Sequence, residues 1–219
     1  MKRLVPGGFL LAIEGIDGAG KSVQAKAAGA ALADRGFEVV LTREPTGGPW
    51  GRLLRESASK GRLSPQDELD AFLKDREEHV RTLIRPSLAA GKVVITDRYY
   101  FSTVAYQGAR GFDPEDLLRR NEAIAIEPDL LVLIDLDPQT SLARIGHRDG
   151  QANEFETLAQ LTRTREIFLA LRKPYLVRLG GERPPEALTA EILAATEREL
   201  SARFPAAGPP AAAGGISGP

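Results

Sequence analysis

Near the start of the chain, eight consecutive residues have the types and spacing of a phosphate-binding loop. They are Gly15, Ile16, Asp17, Gly18, Ala19, Gly20, Lys21 and Ser22. Glycines let backbone N–H groups curl around a phosphate chain, and the N-terminus of a following helix adds partial positive charge. Lys21 is placed to reach the β- and γ-phosphates of a nucleotide, and the Ser22 hydroxyl can ligate Mg²⁺. We interpret the loop as an ATP site. The alternative is a glycine-rich turn with an accidental lysine.

A second pair of residues that could bind a ligand, Asp97 and Arg98, follows the apolar run Val93-Val94-Ile95-Thr96. In an open α/β sheet, ligands bind at the carboxyl ends of strands. We therefore expect Asp97 to hold Mg²⁺ or its waters and Arg98 to hold a phosphate. A charged pair that merely ends a strand is the alternative for these two residues alone. Asp135 ends another apolar run and is a rival for the metal, but no arginine follows it.

A third group lies on a predicted helix in which Phe72, Arg76 and His79 are spaced by about one turn and share a side. An arginine beside an apolar face is costly unless it has a partner, so Arg76 is a candidate ligand-binding residue. Two alternatives remain open from the residues alone. Phe72 could simply pack in the core, and Arg76 could extend its charged end into solvent.

The elements that must position these groups follow from the hydrophobic pattern. Strands are predicted at 9–14, 38–42, 92–96, 130–135 and 175–179, and helices at 21–35, 65–90, 158–171 and 185–203. On the first helix, the apolar face is assigned to Val23, Ala27, Ala30 and Ala31. Near-continuous apolar strands separated by helices predict an α/β fold with a parallel sheet covered on both faces.

Length and composition limit the classes of protein. The 219 residues suit one domain, assigned to 1–204, and the Ala/Gly/Pro-rich stretch 205–219 is predicted to be a disordered tail. A net charge of -1 argues against a protein that coats nucleic acid, and the lack of cysteine excludes disulfides. Glu14 ends the first apolar run, which favours a buried strand over a signal peptide. No apolar run reaches the roughly 20 residues of a membrane helix, and we expect a cytoplasmic protein.

The phosphate loop alone does not say what is done with the nucleotide. A GTPase would need an Asn-Lys-x-Asp motif, which the chain lacks. A non-catalytic interaction module that binds ATP remains possible, but such a module would be expected to lack the second, acceptor-binding group around Asp97 and Arg98. The residues therefore favour a phosphotransferase.

The stretch Asp97-Arg98-Tyr99-x-x-Ser102-x-x-Ala105-Tyr106-Gln107 resembles the signature of the thymidylate kinase family. Other matching pieces are Arg43-Glu44-Pro45, the helix around Phe72 and Pro128-Asp129, in the family's order. The resemblance extends from about Phe9 to the closing helix. The motifs Arg-Glu-Pro-Thr at 43–46 and Asp-Arg-Tyr-Tyr at 97–100 resemble archaeal-type members of the family more closely.

The resemblance implies a P-loop fold with a small mobile lid and the transfer of a phosphoryl group from ATP to dTMP with Mg²⁺. A kinase for another nucleoside monophosphate is the alternative, and a homodimer is implied by the family alone. The resemblance assigns thymine stacking to Phe72, the base edge to Gln107, and the base edge or phosphate region to Arg76. It also assigns the acceptor phosphate to Arg43 and Arg98 and the 3′-hydroxyl to Asp17. Tyr106 would lie against the deoxyribose, and Ser102 belongs to the same substrate site.

The lid of this family corresponds to about 144–155 in this chain. Some relatives carry a catalytic arginine in the phosphate loop, but Gly18 stands there, so we expect the lid to supply the charge. Arg144 would lie against the adenine and Arg148 over the phosphates; a solvated loop position is the alternative for Arg148. Glu154 replaces a basic residue of the family pattern, and Pro45 to Gly51 departs from the usual acceptor loop. There Trp50 is expected to pack against the next helix rather than line the pocket.

Overall fold

Five parallel strands form one sheet in the computed structural model of the chain, which describes residues 2–149 and 157–203 without the side chains of 59–60, 147–149 and 203. The strands are β1 (Phe9–Glu14), β2 (Val39–Arg43), β3 (Val93–Asp97), β4 (Leu130–Asp135) and β5 (Leu176–Gly180). Their order across the sheet is β2-β3-β1-β4-β5, and every neighbouring pair is parallel. The predicted strands are therefore confirmed; β2, β3 and β5 each start and end one residue later than predicted.

Helices connect the strands. They are α1 (Lys21–Asp34), α2 (Pro49–Lys60), α3 (Pro65–His79), α4 (Arg85–Ala89), α5 (Tyr100–Ala109), α6 (Pro114–Glu122), α7 (Pro138–Asp149), α8 (Leu158–Ala170) and α9 (Pro185–Arg203). The predicted helix at 65–90 is interrupted by a π-helical turn, Val80–Ile84, between α3 and α4. Pro86 has no N–H to donate to the preceding turn, which disfavours regular α-helical bonding there.

The central strands are buried on both sides. All six residues of β1 are buried, and alternate residues of a strand point to opposite faces of the sheet. Helices therefore cover both faces, as the near-continuous apolar runs predict. The edge strands β2 and β5 are only partly buried. Among the described residues, no helix is long and apolar enough to cross a bilayer.

The apolar face predicted for α1 is wrong. Val23 is 57% exposed, whereas Ala25, Ala28 and Leu32 are buried. The helix is rich in alanine on all sides, so hydrophobic periodicity does not select one face. Packing against the sheet selects it instead: a Cβ at Gly29 would lie 3.7 and 3.8 Å from the side chains of Ile95 in β3 and Val39 in β2, in ordinary contact.

Candidate active site

The predicted phosphate loop joins β1 to α1 and is held against neighbouring elements. Gly15 has φ of +148°, and a Cβ there would lie 2.5 Å from the carbonyl oxygen of Ile134. Gly18 has φ of +75°, and its Cβ would lie 3.0 Å from the carbonyl oxygen of Ser141. The Ser141 hydroxyl donates to the carbonyl of Asp17. Because glycine is needed at both close approaches, the loop backbone is fixed between β4 and α7.

Lys21 is folded back onto this loop. Its Nζ donates to the carbonyl oxygen of Ile16 at 2.8 Å and lies 3.9 Å from Asp17 Oδ1. Burial lowers the pKa of the Lys21 ammonium to about 8, with a contribution from Arg98, although Asp17 and Asp97 oppose the shift. An anionic phosphate would favour the charged form, so a bound nucleotide would raise this pKa again.

The residues predicted to hold a metal lie together. The Ser22 hydroxyl donates to Oδ2 of Asp97. Oδ1 of Asp97 is buried and has no hydrogen-bond partner among the described residues. A buried carboxylate oxygen beside a hydroxyl fits a hard cation that takes few protein ligands and several phosphate or water oxygens, as Mg²⁺ does. The rival Asp135 is engaged by Arg165, at 2.6 and 3.0 Å.

Arg98 follows β3 in an unusual backbone conformation. Its φ of +69° makes it the one non-glycine residue with positive φ in the described part of the chain. We call residues 96–102 the Arg98 turn. The hydroxyl of Thr96 donates to the Arg98 carbonyl at 2.6 Å. The N–H groups of Tyr99 and Ser102 donate to Glu14 Oε1 at 2.8 and 2.9 Å. These bonds maintain a conformation that costs free energy by itself.

The guanidinium of Arg98 forms one network with three other predicted substrate residues, Asp17, Ser102 and Tyr106. It donates to Asp17 Oδ1 and, at 3.0 Å, to Ser102 Oγ. It lies 5.2 Å from the ring centre of Tyr106, whose hydroxyl donates to Asp17 Oδ2 at 3.2 Å. Burial alone would lower the pKa of Arg98, but Asp17 and Tyr106 outweigh it and raise the pKa. Arg98 therefore remains a cation in the site.

Two neighbouring hollows meet at Asp17 and Arg98. The acceptor cavity, of about 210 Å³, is lined by Asp17, Glu44, Pro45, Arg62, Glu68, Phe72, Arg76, Arg98, Tyr99, Ser102, Thr103, Tyr106, Gln107, Arg110 and Gln160. The phosphate cleft, of about 550 Å³, is lined by Asp17, Gly18, Gly20, Lys21, Ser22, Val23, Arg43, Glu44, Pro45, Arg55, Asp97, Arg98 and Arg144. The predicted substrate residues thus line one continuous site.

Arg76 is buried, with 1% of its surface exposed. Its Nε donates to Glu44 Oε2 at 3.0 Å, and its other nitrogens donate to Glu44, Asn121 and Thr103. The alternative of a solvent-extended side chain is therefore wrong. Burial would raise the pKa of Glu44, but Arg76 and His79 outweigh it and lower the pKa.

The loop between β2 and α2 is bound by α3. The backbone N–H and the hydroxyl of Thr46 donate to Asp75 at 2.7 and 2.6 Å, and Glu44 binds Arg76 as described. These bonds hold the loop against α3, with Arg43, Glu44 and Pro45 lining the phosphate cleft.

Gln107 is buried in the wall of the acceptor cavity. Its Nε2 donates to Glu68 Oε1 at 3.0 Å, and Glu68 is also paired with Arg62 and Arg110 at 3.0 and 2.7 Å. This cluster was not predicted from the sequence. Its position could have indicated it, because Glu68, Phe72 and Arg76 are each four residues apart and therefore share one side of the helix.

Comparison with known proteins agrees with this site. The family model described as thymidylate kinase matches residues 13–192. The chain belongs to the thymidylate kinase family. It is 56% identical over 172 residues to the thymidylate kinase of Xanthomonas campestris pv. campestris, covering 78% of this chain and 75% of that protein. It is 51% identical over 172 residues to the thymidylate kinase of Xylella fastidiosa, covering 78% of this chain and 79% of that protein. These relatives are bacterial and give no support to the archaeal leaning.

The lid predicted for a thymidylate kinase is described only in part. Nη1 of Arg144 donates to the carbonyl oxygens of Gly18 and Gly181 at 3.3 and 3.2 Å. The side chain of Arg148 and the whole of 150–156, with Glu154, lie outside the described residues, as does the predicted tail at 205–219.

Arg55 and Trp50 both belong to α2, which follows the acceptor loop. Arg55 Nη1 donates to the Pro45 carbonyl at 2.9 Å, and Arg55 lines the phosphate cleft, although no sequence signal marked it. Trp50 lies in the first turn of α2 with Lys74 4.5 Å from its ring centre and lines neither hollow, as expected.

Glu14 should give the stability of the protein a specific pH dependence. Burial raises the pKa of its carboxyl from 4.5 to about 7, although the Ser102 hydrogen bond opposes the shift. Because the folded-state pKa is the higher one, the contribution of Glu14 is fully present below the unfolded pKa and is lost as pH rises through about 7. The Glu14→Gln variant lacks this titration. Its free energy of unfolding, relative to wild type, should therefore increase between about pH 5 and pH 8.

Urea unfolding of both proteins across this pH range measures that difference. Glu38→Gln is the control, because Glu38 is a partly exposed carboxyl whose pKa is lowered rather than raised, chiefly by its bond to Lys92. A difference between Glu14→Gln and wild type that stays constant with pH would contradict the prediction.

Proposed function

We propose that this protein transfers the γ-phosphoryl of ATP to dTMP and yields dTDP and ADP, with Mg²⁺ bound. The observation that carries the proposal is the meeting of two hollows at Arg98 and Asp17. One is built on a phosphate loop, and the other has an aromatic wall suited to a nucleoside. A site with both a donor and an acceptor side favours phosphotransfer over a nucleotide-dependent interaction module.

On the donor side, the backbone N–H groups of the loop would hold the β- and γ-phosphates. Lys21 would exchange its bond to the Ile16 carbonyl for a phosphate oxygen. Ser22 and Asp97 would hold Mg²⁺, which would supply positive charge to neutralise the phosphates. Arg144, which lies beside Gly18, would face the adenine end of the nucleotide.

On the acceptor side, Arg43 and Arg98 would hold the dTMP phosphate so that one of its oxygens attacks the γ-phosphorus in line with the departing ADP. The P–O bond to ADP breaks as the new P–O bond forms. The attacking phosphate is already ionised at neutral pH, so no strong base is required. The work of the protein is to place the two phosphates and neutralise the charge that develops on the transferred group.

The nucleoside would occupy the acceptor cavity with thymine stacked on Phe72 and its edge near Gln107 and Arg76. The four bonds of Arg76 to its protein partners leave one of the five guanidinium N–H groups for the base. Asp17 would accept from the 3′-hydroxyl, and the Tyr106 ring would lie where a 2′-hydroxyl would clash. We further propose a single domain over 1–204 from the length of the chain, a cytoplasmic enzyme from its apolar pattern, and a homodimer by family resemblance.

A coupled ADP-release assay with a panel of nucleoside monophosphates tests the proposal and its acceptor site. The dTMP methyl group contributes only about 1–3 kcal/mol in an apolar pocket, so dUMP should be a poorer but detectable acceptor. The ribose analogue of dTMP should be rejected more strongly. ATP hydrolysis that does not depend on any acceptor would instead favour the interaction module.

Tyr106 gives that assay a residue-level test. Tyr106→Ala should relax the preference for deoxyribose because it removes the ring beside the sugar. Tyr106→Phe keeps the ring and loses only the hydroxyl bonded to Asp17, so it should retain the preference. An unchanged ribose-to-deoxyribose ratio of kcat/KM in Tyr106→Ala would exclude the sugar role.

The phosphate loop is tested through Lys21. Lys21→Ala should lower kcat by on the order of 10²-fold or more, because it removes a positioned charge from the transferred phosphoryl group. Lys26→Ala is the matched control, since Lys26 is exposed on the same helix. Near wild-type kcat for Lys21→Ala, in a variant shown to be folded by circular dichroism, is incompatible with the assigned role.

The two α7 arginines should differ in their kinetic effect. Arg148→Ala should lower kcat strongly, by up to ~10³-fold, and leave dTMP affinity nearly unchanged, as expected for a charge used in the transition state. Arg144→Ala should instead raise the KM for ATP. If Arg148→Ala is mild and Arg144→Ala loses kcat, the two roles are reversed.

A further inference from the structure

Glu14 is a buried carboxylate that the proposed mechanism does not use. It is the last residue of β1, its exposed fraction is 0%, and it directly precedes the phosphate loop. All three of its hydrogen bonds go to the Arg98 turn. Oε1 accepts from the N–H groups of Tyr99 and Ser102, and Oε2 accepts from the Ser102 hydroxyl at 2.6 Å.

The bond to the hydroxyl fixes the direction of a proton. A serine hydroxyl has one hydrogen and two lone pairs. Because the hydrogen of Ser102 is donated to Glu14, its lone pairs are left to accept from Nη1 of Arg98, at 3.0 Å. A guanidinium has no lone pair to offer, so the reverse orientation of the Ser102 hydroxyl would leave Arg98 without this acceptor.

Arg98 also donates to Asp17, which lines both hollows. In the proposed complex, Asp17 is assigned to the sugar. A phosphate that binds Arg98 would compete with Asp17 for the same cation. The Ser102 bond, supported from the buried side by Glu14, is compatible with phosphate binding and would persist in the complex.

We propose that Glu14 is a positioning residue that, through the hydroxyl of Ser102 and the backbone of the Arg98 turn, aims the Arg98 guanidinium at the phosphate of the acceptor. The proposal rests on the proposed function, because it assumes that Arg98 binds the acceptor phosphate. It goes beyond that function because Glu14, which touches neither substrate, would contribute to recognition of the acceptor phosphate.

The near-isosteric variant Glu14→Gln tests the proposal. The Gln amide keeps one carbonyl oxygen for the backbone N–H groups but presents an N–H to Ser102. Ser102 Oγ must then use one of its two lone pairs for that N–H, and its hydrogen loses the carboxylate that held it away from Arg98. Both changes weaken the bond that Ser102 accepts from Nη1. Since hydrogen bonds to charged groups are the stronger class, the Kd for dTMP should rise roughly tenfold or more. Titration calorimetry at about pH 8, above the pKa of Glu14, measures this Kd for a wild-type carboxylate.

Thymidine separates a positioning role from a general loss of structure. Thymidine has the base and sugar of dTMP but no phosphate, so its Kd should stay close to the wild-type value, as should the KM for ATP. The ratio of the thymidine Kd to the dTMP Kd, which reports the phosphate contact, should therefore fall roughly tenfold. Equal losses for both ligands, or no loss for dTMP, would overturn the proposal.

A double-mutant cycle tests the route through Ser102. Ser102→Ala should lower the same ratio, and adding Glu14→Gln to it should cause little further change, because both substitutions break one connection. Additive losses would overturn the route. If Glu14→Gln does not fold, Ser102→Ala alone decides the outcome, because an unchanged ratio in that variant contradicts the proposal.

The activity of the wild-type protein separates failure of the proposed function from failure of the role proposed for Glu14. Failure of dTMP to stimulate ADP release by the wild type would remove the proposed function and this proposal with it. Normal dTMP-dependent activity together with an unchanged ratio in Glu14→Gln would remove only the role of Glu14. Glu38→Gln is a carboxylate-to-amide change at a partly exposed residue just before β2, where Glu38 pairs with Lys92, and it should change neither the activity nor the ratio.

Discussion

The site depends on the register of three adjacent parallel strands. Arg43 of β2 is paired with Asp97 of β3, and Asp97 with Ile13 of β1, so the carboxyl ends of these strands meet at one edge of the sheet. A slip of one residue would turn every side chain of a strand to the other face. Because β1 and β3 are buried and apolar, such a slip of either strand is costly. Packing of the core therefore places Arg43, the Arg98 turn and the phosphate loop beside one another before any ligand binds.

At this edge, buried charges are held by partners rather than by solvent. Glu44 is bound by Arg76 and His79, and Glu14 by the N–H and O–H groups of the Arg98 turn. Buried ion pairs add little net stability, because desolvation offsets their attraction. Their effect is geometric: they fix the direction of the charged groups that line or support the site. Phosphoryl transfer depends on such preorganised charge, so the arrangement serves catalysis more directly than it serves folding.

The parts of this arrangement that are local in sequence could be predicted. The phosphate loop, the strand ending at Asp97 and the spacing of Phe72 and Arg76 each depend on residues a few positions apart. The partners of Arg76 could not be predicted in this way, since Glu44 and Asn121 lie 32 and 45 residues away and only the fold brings them to Arg76. Arg55 and Glu14 were missed for the same reason. The face of α1 was wrong because alanine surrounds that helix, and the end of β2 was misplaced because Arg43 is polar although its backbone still pairs.

The geometry of Gly18 limits where positive charge can enter the phosphate cleft. Its φ of +75° and the 3.0 Å approach of a Cβ to the Ser141 carbonyl mean that any side chain there, including the arginine of some relatives, would strain this loop. The residue that blocks the position belongs to α7, and α7 also bears Arg144, whose guanidinium reaches the Gly18 carbonyl. Arg148 lies four residues further along α7, and its side chain is outside the described residues. The contact that disfavours a side chain at Gly18 thus brings Arg144 and its helix against the loop, and we expect the missing charge to come from that helix.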